Sequence, residues 1–314
     1  MPVVKASDIA FARLQAPDLD VAEKFLLDFG LRRAERTATA LYMRGTDPDP
    51  FIYVAHLGDS PRFLASAWHV DSEDDLKAAA KVPGASPVED LDGPGGGKRV
   101  RITDPIGYTV ELVHGRKVAA AVPVEPVALN FGWDGLARKT LQRFDARPSN
   151  VKRIAHVVLT TPQVPPVVQW YRETLGLVQS EDIYSGEEAN IIGSFNRCDR
   201  GDAYVDHHVF FCRDGKSSGL NHVSFEVQDF DDLMLGHDLL HAQKYKHMWG
   251  VGRHLLGAQV FDYWCDPWGR VHEHWTDSDR MNVKGESRTM PREAAYRSQW
   301  GPRAPQEFHG YATP

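Results

Sequence analysis

The sequence is short of several features, and each shortage argues against a class of protein. Its 314 residues include only three cysteines, and Cys198, Cys212 and Cys265 are scattered without metal-ligand spacing. An odd, scattered set fits a reducing compartment better than a disulfide framework. No apolar run approaches the roughly 20 residues that a membrane-spanning helix needs, and the N-terminus lacks the apolar core of a signal peptide. We therefore expect a cytoplasmic protein without a membrane partner.

Positive charge is also scarce. The chain has 36 lysines and arginines against 43 aspartates and glutamates, which gives a formal net charge of −7 at pH 7. Proteins that bind nucleic acid usually concentrate positive charge on one face, so we expect no nucleic-acid partner. The glycine-rich stretch at 93–97 lacks the spacing of a phosphate-binding loop, and we interpret it as an ordinary loop.

One short segment occurs twice in the chain. Asp104-Pro105-Ile106-Gly107 precedes Glu111 at the same spacing as Asp266-Pro267-Trp268-Gly269 precedes Glu273. Each copy is typical of a strand, a tight turn with a conformationally free glycine, and a second strand. This internal repeat predicts two similar domains. The predicted organisation is a first domain at 1–114, a connector at 115–150, a second domain at 151–278 and a tail at 279–314.

The tail is polar but contains Tyr296, Trp300 and Phe308. Aromatic residues in so polar a segment predict that it docks on a surface rather than staying free. The mouth of an active site, a neighbouring subunit and the general surface of the same chain are all open as docking places.

Three short apolar strands predicted in the second domain each carry one residue that can bind a metal. These residues are His156, His222 and Glu273. A single histidine in a strand is usually a packing residue, so the inference depends on the three occurring together. Two histidines and one carboxylate form the facial triad that suits non-haem Fe(II) and leaves three coordination positions open; Mn(II) would accept the same ligands.

The first domain has lost these ligands. When the two halves are aligned, Phe11 falls opposite His156, Ala65 falls opposite His222, and only Glu111 keeps a counterpart. A lone carboxylate cannot hold the metal, so we expect no metal in the first domain.

The ligand segments, together with the run Trp170-Tyr171-Arg172-Glu173-Thr174-Leu175-Gly176-Leu177, resemble the type I extradiol (catechol 2,3-) dioxygenases. These enzymes belong to the vicinal oxygen chelate superfamily, which also contains glyoxalases and bleomycin-resistance proteins. The resemblance runs from about residue 6 to about residue 280 and is most specific at 152–277. It implies an α+β fold of two tandem vicinal-oxygen-chelate domains, each a pair of βαβββ modules forming a curved mixed sheet around a cup. It also implies one Fe(II) and a homo-oligomer.

The resemblance assigns roles to four further residues. Tyr263 and His254 correspond to family positions that accept or stabilise a catechol proton. The neighbours His207 and His208 should face opposite sides of a strand. The family pattern favours His208 as the inward acid that delivers a proton during oxygen cleavage, which leaves His207 a minor role.

The implied reaction is extradiol ring cleavage by O2 at a mononuclear Fe(II). The expected substrate is a substituted monocyclic catechol or a trihydroxylated aromatic ring, and the product is a semialdehyde-type acid of aromatic catabolism. The pattern looks closest to the trihydroxytoluene oxygenase branch, and Trp264 and Trp268 predict a largely apolar pocket.

Two other classes stay open. A metal-dependent glyoxalase-type or isomerase-type enzyme would typically take a ligand from the companion module, and the residues opposite the two histidines speak against it. A non-enzymatic binder would not need the triad together with His254 and Tyr263.

Overall fold

The computed structural model describes residues 1–125, 127–132 and 135–314, so residues 126, 133 and 134 of the predicted connector lie outside the description. The first half of the chain forms a βαβββ module twice in succession. The first module contains β1 (Ala6–Ala16), α1 (Leu19–Asp28), β2 (Arg32–Arg36), β3 (Ala40–Arg44) and β4 (Tyr53–Leu57). The second contains β5 (Arg62–Val70), α2 (Glu73–Ala79), β6 (Glu89–Asp90), β7 (Lys98–Thr103) and β8 (Thr109–His114).

These eight strands form one mixed sheet in the order β2-β3-β4-β1-β5-β8-β7-β6. Within each module the last strand lies parallel to the first, which pairs β4 with β1 and β8 with β5. The two modules join through the antiparallel pair β1 and β5. The modules thereby share one continuous curved sheet.

The second half repeats this plan. Its first module contains β9 (Val151–Thr161), α3 (Val164–Leu175), β10 (Val178–Ser185), β11 (Glu187–Arg197), a short β12 (Val205–Asp206) and β13 (Phe210–Asp214). Its second module contains β14 (Gly219–Val227), α4 (Phe230–Ala242), β15 (His247–His254), β16 (Val260–Cys265) and β17 (Val271–Thr276). The parallel pairs β9 with β13 and β14 with β17 again flank an antiparallel centre, here β9 with β14. The expected α+β fold of paired βαβββ modules is confirmed.

Local sequence explains where the helices begin and end. The side chain of Asp18 accepts hydrogen bonds from the first backbone amides of α1, and Ser72 with Asp75 forms a capping box at α2. α3 tolerates Pro165 and Pro166 because they fall in its first turn, where the helix needs no amide donor.

The tail packs against the second half of the same chain. It contains β18 (Arg280–Met281), β19 (Arg288–Pro291), α5 (Arg292–Ala295), β20 (Ser298–Trp300) and a 3₁₀ turn at Gln306–Phe308. β19 and β20 are the two outermost strands of a ten-stranded sheet, β19-β10-β11-β13-β9-β14-β17-β16-β15-β20, while β12 and β18 pair separately. Phe308 is only 4% exposed. Docking of the tail therefore completes the second sheet at both edges.

One local expectation was wrong. His207 and His208 were expected to lie on one strand, but the chain forms β12 and β13 with both residues between them. The alternation of a regular strand therefore does not explain why these two side chains diverge.

Within the described residues, no helix is both long enough and apolar enough to cross a membrane.

Candidate metal centre

A tight turn fixes where strand β17 begins. Oδ1 of Asp266 accepts hydrogen bonds from the backbone amides of Trp268 and Arg270, both at 2.9 Å, and Oδ2 accepts one from Nε of Arg270 at 2.7 Å. Gly269 has a φ of +88°, where a Cβ atom is unfavourable. The turn therefore sets the position of Glu273, three residues after Arg270.

The packing of β17 determines which way Glu273 points. The ring of His274 stacks on Phe29, the residue that caps the C-terminus of α1, with the centroids 3.8 Å apart, and its Nε2 lies 2.6 Å from the backbone carbonyl oxygen of Phe29. Neighbouring strand residues face opposite sides of a sheet, so Glu273 points away from α1 and into the cup of the second sheet.

The three predicted ligands meet in this cup. Nε2 of His156 lies 2.9 Å from Oε2 of Glu273, Nε2 of His222 lies 3.5 Å from the same oxygen, and the two nitrogens are 3.3 Å apart. All three side chains are at most 5% exposed. Ligand atoms about 2.0–2.2 Å from one ion are separated by about 2.8–3.6 Å in octahedral or tetrahedral geometry, so the three atoms are spaced as one face of a coordination sphere.

The polar atoms of the cluster also fit a metal. Oε2 of Glu273 is buried and makes no hydrogen bond to any described residue, although two imidazole nitrogens lie close to it. Nδ1 of His222 lies 2.7 Å from Oδ1 of Asn221 and can donate to it, which leaves Nε2 with a lone pair facing the cup. An unpaired buried carboxylate oxygen beside a lone pair is the donor set that a divalent cation satisfies.

The electrostatics keep the carboxylate ionised. Burial by itself would raise the pKa of Glu273, but His156, His222 and His254 outweigh burial and hold that pKa well below its usual range. Burial likewise lowers the pKa of His222 to about 4. Glu273 and His222 are thus in the unprotonated states in which they bind metal.

His254 and Tyr263 form a pair beside the triad. Nε2 of His254 lies 2.8 Å from the hydroxyl oxygen of Tyr263 and 3.7 Å from Oε1 of Glu273. Burial lowers the pKa of His254, whereas burial and the nearby Glu273 raise that of Tyr263 well above its usual value. At neutral pH the pair is therefore a neutral imidazole accepting a hydrogen bond from a phenol.

His208 lines the cavity, and His207 lies behind His208. The ring of His208 is 4.2 Å from that of His156 and lines the cavity. Nδ1 of His207 is 3.0 Å from Nδ1 of His208, and its Nε2 is 3.1 Å from Oε2 of Glu181. Glu181, His207 and His208 thus form a hydrogen-bonded chain that ends at the cavity.

Apolar side chains provide most of the cavity lining. They include Val158, Phe195, Phe211, Trp249, Leu256 and Phe308. The prediction that Trp264 and Trp268 line the cavity was wrong. Trp264 packs against His247 on the other side of the sheet, and Trp268 packs against Arg270. The cavity is apolar as expected, but different aromatic residues make it so.

Two polar side chains in the cavity were missed from the sequence. Arg213 is only 6% exposed, and its Nε has no hydrogen-bond partner among the described residues, while Nη2 donates to the hydroxyl of Tyr296 at 2.5 Å. Oε1 of Gln259 is also buried without a partner in the described part of the chain. A candidate signal was Arg213 itself, since an arginine at the end of an apolar strand is costly to bury.

The first sheet has no equivalent set of ligands. By the pairing of the strands, Phe11 holds the position of His156, and Ala65 holds that of His222. Neither side chain has a donor atom.

In the first sheet, arginine side chains pair with the carboxylate of Glu111. Oε1 of Glu111 accepts a hydrogen bond from Nε of Arg13 at 2.7 Å, and its Oε2 lies 3.3 Å from Arg99. Arg13 also pairs with Asp92 at 3.0 Å. Guanidinium groups occupy the space in front of Glu111.

Sequence relatives decide the family. The family model described as Glyoxalase/Bleomycin resistance protein/Dioxygenase superfamily matches residues 153–271. Metapyrocatechase 2 of Cupriavidus necator is 30% identical over 299 residues, which cover 94% of this chain and 89% of that protein. The iron-dependent extradiol dioxygenase of Rhodococcus jostii (strain RHA1) is 24% identical over 312 residues, covering 93% and 95%.

The chain belongs to the extradiol dioxygenases of this superfamily.

Solved structures share the fold of this dioxygenase. Homoprotocatechuate 2,3-dioxygenase from Brevibacterium fuscum, in an anaerobic complex with 3,4-dihydroxyphenylacetate, has a TM-score of 0.81 at 20% identity and covers 99% of this chain and 95% of that one. The Mn(II)-bound glyoxalase from Novosphingobium aromaticivorans has a TM-score of 0.79 at 22% identity, covering 99% and 96%. Since the two neighbours are named for different activities, this likeness establishes the fold alone.

The relative from Rhodococcus jostii is named as iron-dependent, and the buried His/His/Glu cluster of this chain suits that metal. The same ligands leave Mn(II) as the alternative.

Proposed function

We propose that this extradiol dioxygenase cleaves a substituted monocyclic catechol or a trihydroxylated aromatic ring and gives a semialdehyde-type acid. One observation carries the proposal. His156, His222 and Glu273 present three donor atoms 2.9–3.5 Å apart at a cavity that His208, His254 and Tyr263 also line.

When bound, Fe(II) supplies open coordination positions at which a catechol and O2 are held next to each other. His156, His222 and Glu273 hold it from one side, so the cavity side stays free for the substrate. The apolar lining excludes water from the same space and strengthens every polar contact made there.

In this proposal, His254 accepts a catechol proton and Tyr263 donates a hydrogen bond to the oxygen that loses it. His254 is neutral at pH 7 because burial lowers its pKa, so once a substrate replaces the Tyr263 hydroxyl at Nε2, that nitrogen can accept the proton of a catechol hydroxyl. The phenol of Tyr263 keeps its own proton and then donates its hydrogen bond to the catechol oxygen that has lost one.

His208 holds the proton needed later in the reaction. Its Nδ1 faces His207, so its Nε2 is left for the cavity. If His207 donates through Nδ1, Nδ1 of His208 accepts and Nε2 of His208 carries the proton toward the substrate. Oε2 of Glu181 lies 3.1 Å from Nε2 of His207 and orients its ring from behind.

The polar lining bears on the choice of substrate. A buried guanidinium whose Nε lacks a partner among the described residues is stabilised by a ligand that brings a hydrogen-bond acceptor or a negative charge. We therefore extend the proposal to a ring substituent with an oxygen directed at Arg213. Gln259 offers an amide oxygen that a further hydroxyl of a trihydroxylated ring can donate to.

The division of labour between the halves is also part of the proposal. Residues 1–114 form a degenerate domain without metal, 151–278 form the catalytic domain, and 115–150 connect them. The tail at 279–314 helps to close the cavity through Tyr296, Arg297 and Phe308. Assembly into a homo-oligomer stays a prediction.

Anaerobic metal analysis combined with O2 uptake on a panel of catechols tests the proposal. We expect one iron per chain and one O2 consumed per ring opened. Catechols whose substituent carries an oxygen should be preferred over methyl-substituted ones, and Arg213→Met should remove that preference while keeping the iron. Full iron content with no O2 uptake on any catechol or trihydroxylated ring would contradict the proposal and favour a glyoxalase-type activity.

A further inference from the structure

A second set of metal-binding side chains lies outside the catalytic cavity, where α4 packs against β15 and β16. His237 on α4, His247 on β15 and Asp262 on β16 each offer one donor atom, and these atoms lie within 4.8 Å of one another. Adjacent strand residues face opposite sides, so Asp262 points away from the cavity that Tyr263 lines. The proposed reaction uses none of these three residues.

The carboxylate at the centre of this cluster is completely buried. Oδ1 of Asp262 is 2.7 Å from Nε2 of His247, and Oδ2 is 3.0 Å from Nδ1 of His237. Ligands of a tetrahedral ion with bonds of about 2.0–2.1 Å are separated by about 3.3 Å, so the two distances between carboxylate and imidazole would lengthen by a few tenths of an ångström to admit an ion. Trp264 donates its indole N–H to Oδ2 at 2.5 Å, the kind of outer hydrogen bond that orients a ligating carboxylate.

A fourth donor stands one helical turn beyond His237. Residues four apart lie on the same face of a helix, and the ring of His241 is 4.5 Å from that of His237 and 5.2 Å from that of His247. His241 is exposed, so the cluster is open to solvent on one side and an ion can enter there. Three imidazoles and one carboxylate suit Zn²⁺ and its transition-metal neighbours, whereas Ca²⁺ and Mg²⁺ prefer oxygen ligands.

We propose that His237, His241, His247 and Asp262 form a second metal site, structural rather than catalytic, that takes a divalent transition-metal ion such as Zn²⁺. The ion ties the last turns of α4 to the hairpin of β15 and β16. The opposite face of that hairpin carries Tyr263, so the site stiffens the support of the catalytic cavity.

The test is metal content and thermal stability of the iron-loaded enzyme. The enzyme is given a small excess of Zn²⁺ and desalted, and both metals are measured by mass spectrometry. We expect one iron and one zinc per chain, together with a higher melting temperature, because an ion that binds only the folded state stabilises it. Absence of retained zinc, or no rise in melting temperature, would overturn the proposal.

Variants locate the ion. His247→Ala should lose the zinc and the zinc-dependent rise in melting temperature, with an affinity loss above the roughly 10–100-fold that removal of an outer-shell partner causes. The exposed His241→Ala gives the same test if His247→Ala folds poorly. His69→Ala, a histidine of the first half, is the matched control and should keep both metals.

A last experiment distinguishes zinc binding at this site from binding at the iron site. In Glu273→Ala, which is expected to lack iron, one zinc per chain should still bind and still raise the melting temperature. Equal zinc content in the wild type and in both cluster variants would show that the ion sits elsewhere, and the carboxylate of Asp262 would then be balanced by its histidines alone.

Discussion

Removing any one of the three proposed iron ligands should cost the enzyme its metal but not its fold. His156→Ala, His222→Ala and Glu273→Ala each leave two donors, too few to hold the ion against water. We expect iron content and ring cleavage to fall by more than the roughly 10–100-fold that loss of an outer hydrogen bond causes. Iron per chain, activity and circular dichroism measure these effects. A variant that kept full iron and full activity would show that its residue is not a ligand.

The two neighbouring histidines should differ in effect. His208→Phe leaves the three ligands in place and removes the acid at the cavity, so anaerobic catechol binding should persist while cleavage slows by roughly 100- to 10,000-fold. Strand alternation alone predicts that His207→Phe behaves like the wild type. The 3.0 Å contact between the two Nδ1 atoms changes that expectation to an intermediate loss.

Glu181→Gln is the control for the chain behind His208. It keeps the size of the side chain but removes the carboxylate that contacts Nε2 of His207 at 3.1 Å. Its rate of cleavage should change in the same direction as that of His207→Phe. Wild-type behaviour of His208→Phe would remove the proposed acid altogether.

Sequence patterns predict residues on strands better than residues brought in from elsewhere. His156, His222 and Glu273 could be found because each lies in a short apolar strand or just after a turn with its own signature. Phe308 could not be placed in the cavity in the same way. It comes from a polar tail, whose path depends on tertiary packing that no local pattern encodes.

The tail is the element whose function the structure makes most specific. The ring of Phe308 lies 4.9 Å from that of Tyr263 and 5.3 Å from that of Trp249, so it forms one wall of the cavity. Phe308→Ala should destabilise the enzyme by about 3–5 kcal/mol, as expected for a buried phenylalanine, and raise the KM for catechols. Thermal unfolding and steady-state kinetics measure both effects.

Val283 supplies the comparison for Phe308. It lies in the same tail but is 61% exposed, so Val283→Ala should change neither stability nor KM. If Phe308→Ala also left both unchanged, the tail would not be part of the cavity wall.

The repeated elements were predictable because their signals are local. The Asp-Pro-x-Gly turns and the helix caps act within a few residues, so the order of strands and helices can be inferred before any tertiary contact is known. The break between β12 and β13 was not predictable, because it accompanies contacts with distant residues: β12 pairs with β18 of the tail, and the backbone oxygen of His207 accepts a hydrogen bond from Ser180.

The whole molecule combines two copies of one architecture that now have different internal charges. In the second sheet the buried carboxylate of Glu273 faces two histidines. In the first sheet Glu111 is paired with Arg13 and Arg99 instead. A metal ion in the first cup would have to displace a guanidinium that is itself buried. This argues that the first copy has exchanged metal binding for an internal ion pair.

Glu111→Gln tests this exchange. The amide keeps the shape of the side chain but removes its charge, so Arg13 and Arg99 lose a partner in a buried place and the enzyme should become less stable. Iron content should stay at one per chain, because Glu111 holds none. Glu273→Gln is the matched variant of the second sheet and should lose iron. Metal analysis and thermal unfolding of Glu111→Gln and Glu273→Gln measure these effects. If the wild type held nearly two irons per chain and Glu111→Gln held one, the first sheet would still bind metal.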